Sequence, residues 1–171
     1  TSSVLVTGGD RPLVSVRLTA PISRDLIFPL MEKLQKITPD REKALAYAEN
    51  FCYADWAEQL RVFLGCGAES MIALEQKEGK YDLSAHKKRL EVILSRWEDL
   101  MEIVRQELPS SDQMERLLDL IGAPKTLDDI GVDGEILPMV FRVTKDIRDK
   151  YVLSRLAWDL GILEELAETL K

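Results

Sequence analysis

The chain has 171 residues, 46% of them hydrophobic, and a formal net charge of −7. This length can bury one core, so we expect a single domain with at most a small appendage. An acidic chain repels phosphate backbones unless its basic residues gather on one face, which argues against a nucleic-acid partner. The basic run from His86 to Arg89 is too short to reverse that.

Neither a membrane nor a secreted location is indicated. The sequence contains no run of about 18 uncharged apolar residues, and its first residues lack the pattern of a signal peptide. We therefore expect a soluble cytoplasmic protein with no membrane partner. Cys52 and Cys66 show no spacing typical of a zinc site or a redox pair, and their apolar or Gly-flanked surroundings predict buried or partly buried free thiols.

The first 22 residues predict a β-hairpin appendage. Two β-rich runs, Val4 to Val6 and Leu13 to Leu18, flank a turn that contains Gly8-Gly9. A phosphate cradle at these glycines would need a helix after the turn, whereas a second β-like run follows, so an ordinary hairpin turn is favoured. Because a lone hairpin is marginal in water, it would lie against helices, pair with another chain or remain partly disordered.

Residues 23–171 predict a helical domain. The period becomes helical at Ser23, with Pro29 as a sign of a kink or a late start. Thr38-Pro39-Asp40 predicts the next helix start, with the proline in the first helical position. Asp55 and Glu58 have the spacing of a capping box, and Gly65 predicts the end of that helix.

The strongest period runs from Leu83, after a cap at Asp82, to Leu108, and predicts one long helix. A capping box at Ser110 opens the following helix, which Gly122 and Pro124 close. Three more helices are expected: one from Asp133 to Asp149 with an uncertain start at Pro138, one ending at Gly161, and one carrying Leu163, Leu166, Ala167 and Leu170. The fold class is therefore mainly α, an antiparallel helical bundle with a short N-terminal β-hairpin.

No residue pattern marks a catalytic centre. His86 is the single histidine and falls within an apolar stripe, so a packed or rim histidine is favoured over a metal ligand. The acidic residues are spread along solvated faces without a pair spaced as an acid and base couple. One histidine gives little support to a Ser or Cys triad, and Trp56, Trp97 and Trp158 have the spacing of core or interface residues.

A series of motifs resembles, in order, the C-terminal helical region of bacterial sn-glycerol-1-phosphate dehydrogenases, which belong with iron-containing alcohol dehydrogenases and dehydroquinate synthases. The resemblance covers residues 30 to 171, and the segment from Arg148 to Gly161 is its most specific part. The other motifs are Asp55 to Arg61, Ala68 to Glu75, Lys80-Tyr81-Asp82, Arg96-Trp97, Gly122-Ala123-Pro124 and Ile130-Gly131-Val132.

The resemblance implies an NAD(P)-dependent enzyme that reduces dihydroxyacetone phosphate at a divalent metal held by one Asp and two His. This chain departs from that pattern, because it has no Gly-rich strand and helix unit and reads Leu18-Thr19-Ala20-Pro21 where the last metal histidine is expected. No catalytic, metal-binding or cofactor-binding residue is therefore carried over, and no cofactor is expected on this chain alone. Arg148 and Tyr151 match a family-type position; packing is their first interpretation, and Arg148 is the candidate for substrate phosphate.

Two hypotheses of different classes follow. In the first, the chain is the helical part of a glycerol-1-phosphate dehydrogenase-like oxidoreductase, inactive alone, with the missing nucleotide-binding half as partner. In the second, it is a stand-alone, non-catalytic interaction or scaffold module that self-associates, since apolar area once buried against another domain is otherwise exposed. A third and weaker alternative is that the hairpin completes a sheet in another polypeptide.

Overall fold

The computed structural model describes residues 28–147 and 150–170, and every regular element within these ranges is helical. The prediction of a mainly α chain is confirmed. The predicted hairpin and Arg148 lie outside the described residues. Within them, no helix combines the length and apolar character needed to cross a bilayer.

The chain divides into two compact units, the first containing described residues 28–36 and 103–135. It holds α1 (Phe28–Leu34) and α7 (Ser111–Leu120), with Leu30, Leu34 and Leu118 buried. The predicted capping box is confirmed, because Ser110 Oγ accepts from Gln113 N and Gln113 Oε1 accepts from Ser110 N. The Ser111 hydroxyl donates to Glu32 at 2.6 Å and, with the Ser111 backbone N–H, lowers the pKa of that carboxyl.

The second unit contains described residues 37–102, 136–147 and 150–170. Its helices α8 (Leu137–Thr144), α9 (Leu153–Asp159) and α10 (Leu163–Glu168) pack against one another. Helix α5 (Leu83–Ser95) packs on α2 (Arg41–Glu49), and α9 contacts both. The largest fully buried side chains include Trp158, Phe141, Leu60, Leu90 and Leu160. The unit also contains α3 (Tyr53–Leu64) and α4 (Ala68–Glu78), which pack against each other.

The single long helix predicted from Leu83 to Leu108 is wrong, because the structure ends α5 at Ser95 and begins α6 (Trp97–Glu107) after Arg96. Arg96 leaves helical geometry at φ −119° and ψ 17°. The Arg96 N–H donates to the carbonyls of both Val92 and Ile93. The Ser95 hydroxyl also donates to the Val92 carbonyl, at 2.9 Å. Such back-bonding by serine bends or ends a helix without disturbing the apolar period.

Several local signals are confirmed. Asp82 caps α5 by accepting from Ala85 N at 2.7 Å, and Gly65 follows α3 with φ +55°. Gly122, with φ +60°, closes α7, and Gly161, with φ +69°, follows α9. Each of these signals acts within one helical turn, so distant residues do not change its outcome.

Other helix starts were predicted wrongly. The capping box at Asp55 does not form, because α3 begins two residues earlier at Tyr53, with Cys52 at the cap position and no side-chain bond there. Pro39 precedes the actual cap, Asp40, whose side chain accepts from Lys43 N at 3.0 Å. The helix predicted from Asp133 to Asp149 is shorter, since a 3₁₀ turn at Gly134–Ile136 leads into α8 with Pro138 in its first turn.

The prediction about the cysteines is half wrong. Cys52 and Cys66 are free, as expected, but both are exposed rather than buried. Cys52 stands at the start of α3, and Cys66 lies in the short 3₁₀ turn Gly65–Gly67 between α3 and α4. Their apolar or glycine neighbours in sequence therefore did not determine their burial.

Candidate functional site

Asp159 is the centre of a buried ionic cluster in the second unit. It is the last residue of α9 and is 0% exposed. Arg89 of α5 donates to both carboxylate oxygens, from Nη2 at 3.0 Å and from Nε at 3.2 Å, and the Tyr151 hydroxyl donates to Oδ2 at 2.8 Å. Burial and the nearby Asp159 charge raise the pKa of Tyr151, so this phenol stays a proton donor.

A second buried carboxylate, Asp146, accepts three side-chain hydrogen bonds. The donors are the Tyr81 hydroxyl at 2.6 Å, the Lys145 ammonium at 2.7 Å and the Trp56 indole at 2.9 Å. Burial lowers the pKa of Lys145, and the charge of Asp146 opposes this shift. Because these donors come from segments far apart in sequence, Asp146 ties the start of α3 and the turn before α5 to the end of α8.

Arg155 lies between these two carboxylate clusters and is only 3% exposed. Its guanidinium stacks over the rings of Trp158, at 4.5 Å, and Tyr81, at 4.9 Å from the ring centroids. One amine, Nη2, donates to the Lys80 carbonyl and lies 3.6 Å from Asp159 Oδ1. The other, Nη1, is buried and has no hydrogen-bond partner among the described residues.

A cleft of about 270 Å³, which we call the cationic cleft, opens beside Arg155. Five of its lining residues are cationic, one is a tyrosine and one is a carboxylate. The lining consists of Glu78, Gly79, Lys80, Ala85, Arg89, Lys145, Lys150, Tyr151 and Arg155. Asp146 and Asp159 contact three of these cations and offset part of their charge, yet the lining remains predominantly basic in an otherwise acidic chain.

The cleft has the chemistry of a small-anion site. A buried N–H without an acceptor, such as Arg155 Nη1, is rare in folded proteins and calls for a partner. Phosphate and carboxylate oxygens are the partners that a guanidinium binds best, and neighbouring ammonium groups strengthen the interaction. The Tyr151 hydroxyl and the Lys150 ammonium lie on the same lining.

A second cavity of about 260 Å³ has aromatic walls that include Phe51, Trp56 and Trp158. It also contains Cys52 and the oppositely charged pair Arg142 and Glu164, whose Nε and Oε2 atoms lie 2.7 Å apart. Arg142 and Glu164 thus pair with each other, and among the described residues no buried side-chain nitrogen or oxygen atom on this lining lacks a hydrogen-bond partner. The cationic cleft is the stronger candidate.

The residues singled out in the sequence have different outcomes. Arg148, the candidate for substrate phosphate, lies outside the described residues. Tyr151 does more than pack, since it is 54% exposed, lines the cationic cleft and donates to Asp159. The three tryptophans are buried, as predicted.

His86 is confirmed as a packed histidine. It is fully buried, its ring lies 5.3 Å from that of Trp158, and its Nε2 lies 2.9 Å from the Asp159 carbonyl oxygen. Because a carbonyl only accepts, Nε2 donates to it, and Nδ1 has no hydrogen-bond partner among the described residues. Nor do those residues contain a group of three or more His, Cys, Asp and Glu side chains that could hold a metal ion.

Sequence reasoning assigned none of the five cations of the cleft's lining to a site. Lys80, Lys150 and Arg155 fell within motifs of the resemblance, Arg89 fell within the basic run, and Lys145 was not singled out. Arg89 was considered only as part of the short basic run from His86, although it reaches Asp159, 70 positions away. The available signal was weak: Lys145 and Arg155 are charged residues within largely buried helical segments, where an unpaired cation is costly.

Comparison of the chain with family models, curated proteins and solved structures gives no match.

Proposed function

We propose that this chain is the helical part of a glycerol-1-phosphate dehydrogenase-like, NAD(P)-dependent and metal-dependent oxidoreductase, and that its role there is to hold the phosphate end of the substrate. The observation that carries the proposal is the cationic cleft, whose lining includes Arg155, a residue with a buried Nη1 that has no hydrogen-bond partner among the described residues. Lys150, Tyr151 and Arg155 of this cleft belong to the segment on which the resemblance is most specific.

The chemistry of the cleft agrees with such a substrate. A phosphate monoester carries close to two negative charges near neutral pH and offers three strong acceptor oxygens. Arg155 Nη1 supplies an unused donor, and Lys80, Lys145 and Lys150 supply charge on the same lining. The cleft would thus hold the phosphate end of a phosphorylated three-carbon ketone or polyol and leave its other carbons free to reach a reaction centre.

The same proposal makes the chain inactive on its own. We assign it no catalytic, cofactor-binding or metal-binding residue, so the nicotinamide cofactor and the divalent metal would be held by the missing nucleotide-binding half. Purified chain supplied with NADH or NADPH, a divalent metal and dihydroxyacetone phosphate should give no turnover. Turnover by the chain alone would contradict this part of the proposal.

Binding is tested without catalysis. Titration of the chain with glycerol 1-phosphate, followed by calorimetry or by amide NMR shifts, should show saturable binding centred on residues of the cleft. Arg155→Lys keeps the charge but removes the unpaired N–H, and Lys150→Gln removes a charge from the lining; each should weaken binding about tenfold, the effect of losing roughly 1.4 kcal/mol. Lys87→Gln is the matched control, because Lys87 is exposed, pairs with Glu49 at 3.4 Å and lies outside the cleft.

Equal affinities for the wild-type chain and both cleft variants would refute the assignment of this cleft as the phosphate site. Far-ultraviolet circular dichroism of each variant shows whether the helical fold is retained.

The alternative, a non-catalytic helical module that self-associates, is favoured by one specific observation. Leu117, Leu120 and Ile121 are exposed on α7 and just beyond its end, with Leu120 82% exposed. Exposed apolar side chains of this size that lie together are typical of association surfaces. Sedimentation should then show a dimer that Leu120→Asp dissociates, whereas a strict monomer at high concentration would count against this alternative.

We propose that the helices form an antiparallel bundle, that residues 1–22 form a hairpin appendage to a helical domain at 23–171, and that the chain acts in the cytoplasm.

A further inference from the structure

Lys145 is a buried lysine at the wall of the second cavity, which we call the aromatic cavity. It follows α8 directly, is 5% exposed and belongs to the lining of this cavity. Its ammonium donates to the Arg142 carbonyl at 2.9 Å and to Asp146 Oδ2 at 2.7 Å. The Trp56 indole N–H donates to the same Oδ2 atom. Because Arg142 and Trp56 also line the aromatic cavity, the Lys145 nitrogen lies beside its wall.

The surroundings of Lys145 disfavour the charged ammonium. Burial lowers the pKa of Lys145, and the charge of Arg155 lowers it further, against the opposing effects of Asp146 and Glu164. A proton acceptor is also in place, since Asp146 already accepts a hydrogen bond from the ammonium. A lysine that is desolvated or lies near another cation is activated as a nucleophile, and such lysines form Schiff bases with carbonyl compounds.

The aromatic cavity fits a small carbonyl compound that carries an aromatic ring. Phe51 and Trp158 are among its walls, and their rings meet edge to face with centroids 5.7 Å apart. A cavity of about 150 Å³ is large enough for benzene. The aromatic cavity, of about 260 Å³, therefore admits one ring with an aldehyde group. Its lining includes exposed Cys52 and Gln59, so a ligand reaches it from solvent.

We propose that Lys145 captures a small aromatic aldehyde in the aromatic cavity as a Schiff base, an activity separate from the oxidoreductase role proposed above. Asp146 takes a proton from the ammonium, and the free amine then attacks the carbonyl carbon. The C–N bond forms as the C=O π bond breaks, and a proton moves from nitrogen to oxygen to give a carbinolamine.

Water is the leaving group of the second half of this reaction. Asp146 returns its proton to the carbinolamine hydroxyl, which departs as water while the C=N bond forms. The sum is one ammonium and one aldehyde giving one iminium and one water, so no oxidant or reductant is consumed. The iminium keeps a positive charge and one N–H beside Asp146, so the buried carboxylate is not left without a counter-charge.

The test traps the Schiff base in the wild-type chain. Benzaldehyde is the probe, sodium cyanoborohydride reduces the iminium, and peptide mass mapping locates the benzyl group. Lys145 should be labelled about tenfold faster than exposed Lys43 and Lys87, or more, because the cavity holds the aldehyde beside the amine. A buried lysine with a structural role alone would instead be labelled more slowly than exposed lysines. Labelling of Lys145 no faster than that of Lys87 would therefore overturn the proposal.

Two variants of α3 test where the aldehyde lies. Gln59→Trp places a large ring at an exposed position of the lining and should slow the labelling of Lys145 about tenfold, a rise of roughly 1.4 kcal/mol in the barrier. Glu58→Trp is the matched control, because Glu58 is the exposed neighbour outside the lining, and it should leave the rate unchanged. Equal rates in the two variants, with helical circular dichroism retained, would overturn the placement in this cavity.

A second probe tests the class of ligand. Glyceraldehyde has no ring, so it should show a smaller preference for Lys145 over Lys87 than benzaldehyde does. An equal preference for both aldehydes would overturn the aromatic specificity. Because neither probe carries a phosphate group, failure of these experiments leaves the anion site of the cationic cleft untouched, and failure of phosphate binding leaves the Schiff base intact.

Discussion

Replacing Asp146 with asparagine tests the buried polar network most directly. Asp146 is 2% exposed and accepts from Tyr81, Lys145 and Trp56. An asparagine of the same shape offers one acceptor oxygen and an NH₂ group, so at least one of the three donors would lose its acceptor. The Lys145 ammonium would also lose its counter-charge while 5% exposed.

The expected loss follows from these contacts. Breaking a buried ion pair from one side costs about 3–5 kcal/mol, because it leaves an uncompensated charge in the interior. Burial already lowers the pKa of Lys145, so this side chain can shed its proton and limit the cost. We therefore expect Asp146→Asn to lower the free energy of unfolding by about 3 kcal/mol, at the lower end of that range.

The assay is urea unfolding followed by circular dichroism and by tryptophan fluorescence, which senses Trp56 next to the substituted group. Glu91→Gln is the matched control: it removes a charge paired with Arg41 at 2.7 Å, but both side chains are more than half exposed, so the loss should stay below about 1 kcal/mol. Removing both charges with Asp146→Asn and Lys145→Met together should recover part of the loss. A loss for Asp146→Asn no larger than that of the control would refute the network as a source of stability.

Three further predictions concern other parts of the second unit. Gly161→Ala should lower the free energy of unfolding by about 3 kcal/mol, because its φ of +69° disfavours a side chain and the new Cβ would lie 3.0 Å from the backbone of α2. Gly79 has a similar φ but open space around it, so Gly79→Ala should lower the same free energy by about 1 kcal/mol in the same urea assay. Burial raises the pKa of Glu75 above its ordinary 4.5, so the folded chain binds this proton more tightly than the unfolded chain does. The free energy of unfolding of the wild-type chain should therefore fall, relative to that of Glu75→Gln, as pH rises above 4.5. A difference between the two chains that does not change with pH would contradict this prediction. Cys52 and Cys66 should both react with Ellman's reagent in the folded chain, and a single reactive thiol would show that one is shielded.

Helix type and several boundaries could be predicted because they depend on neighbours in sequence. Asp82 and Ser110 cap helices by bonds to residues three positions on, and Gly122 and Gly161 end helices through their own backbone freedom. Where local signals competed, prediction failed: the apolar stripe continues past Arg96, although hydrogen bonding at Ser95 and Arg96 ends the helix.

The candidate site was mostly hidden from the sequence. Tyr151 and its surrounding segment could be singled out by resemblance, but the charges of Arg89 and Arg155 look like ordinary helix-surface residues. Their role depends on Asp159, which Arg89 reaches across 70 positions, and on the rings that stack with Arg155. Nothing in the spacing of the basic residues indicates that they line one cleft.

The sequence by itself determined that the chain is helical, where several helices begin or end, and that its tryptophans and His86 are packed, because side-chain periodicity and caps act over one or two turns. Only the tertiary structure decided which charges are buried together, that both cysteines are exposed, and that five cations and one carboxylate among the described residues line the same cleft. Burial and charge pairing depend on contacts between segments far apart in the chain, such as Trp56 and Asp146, 90 positions apart, and no local pattern encodes them.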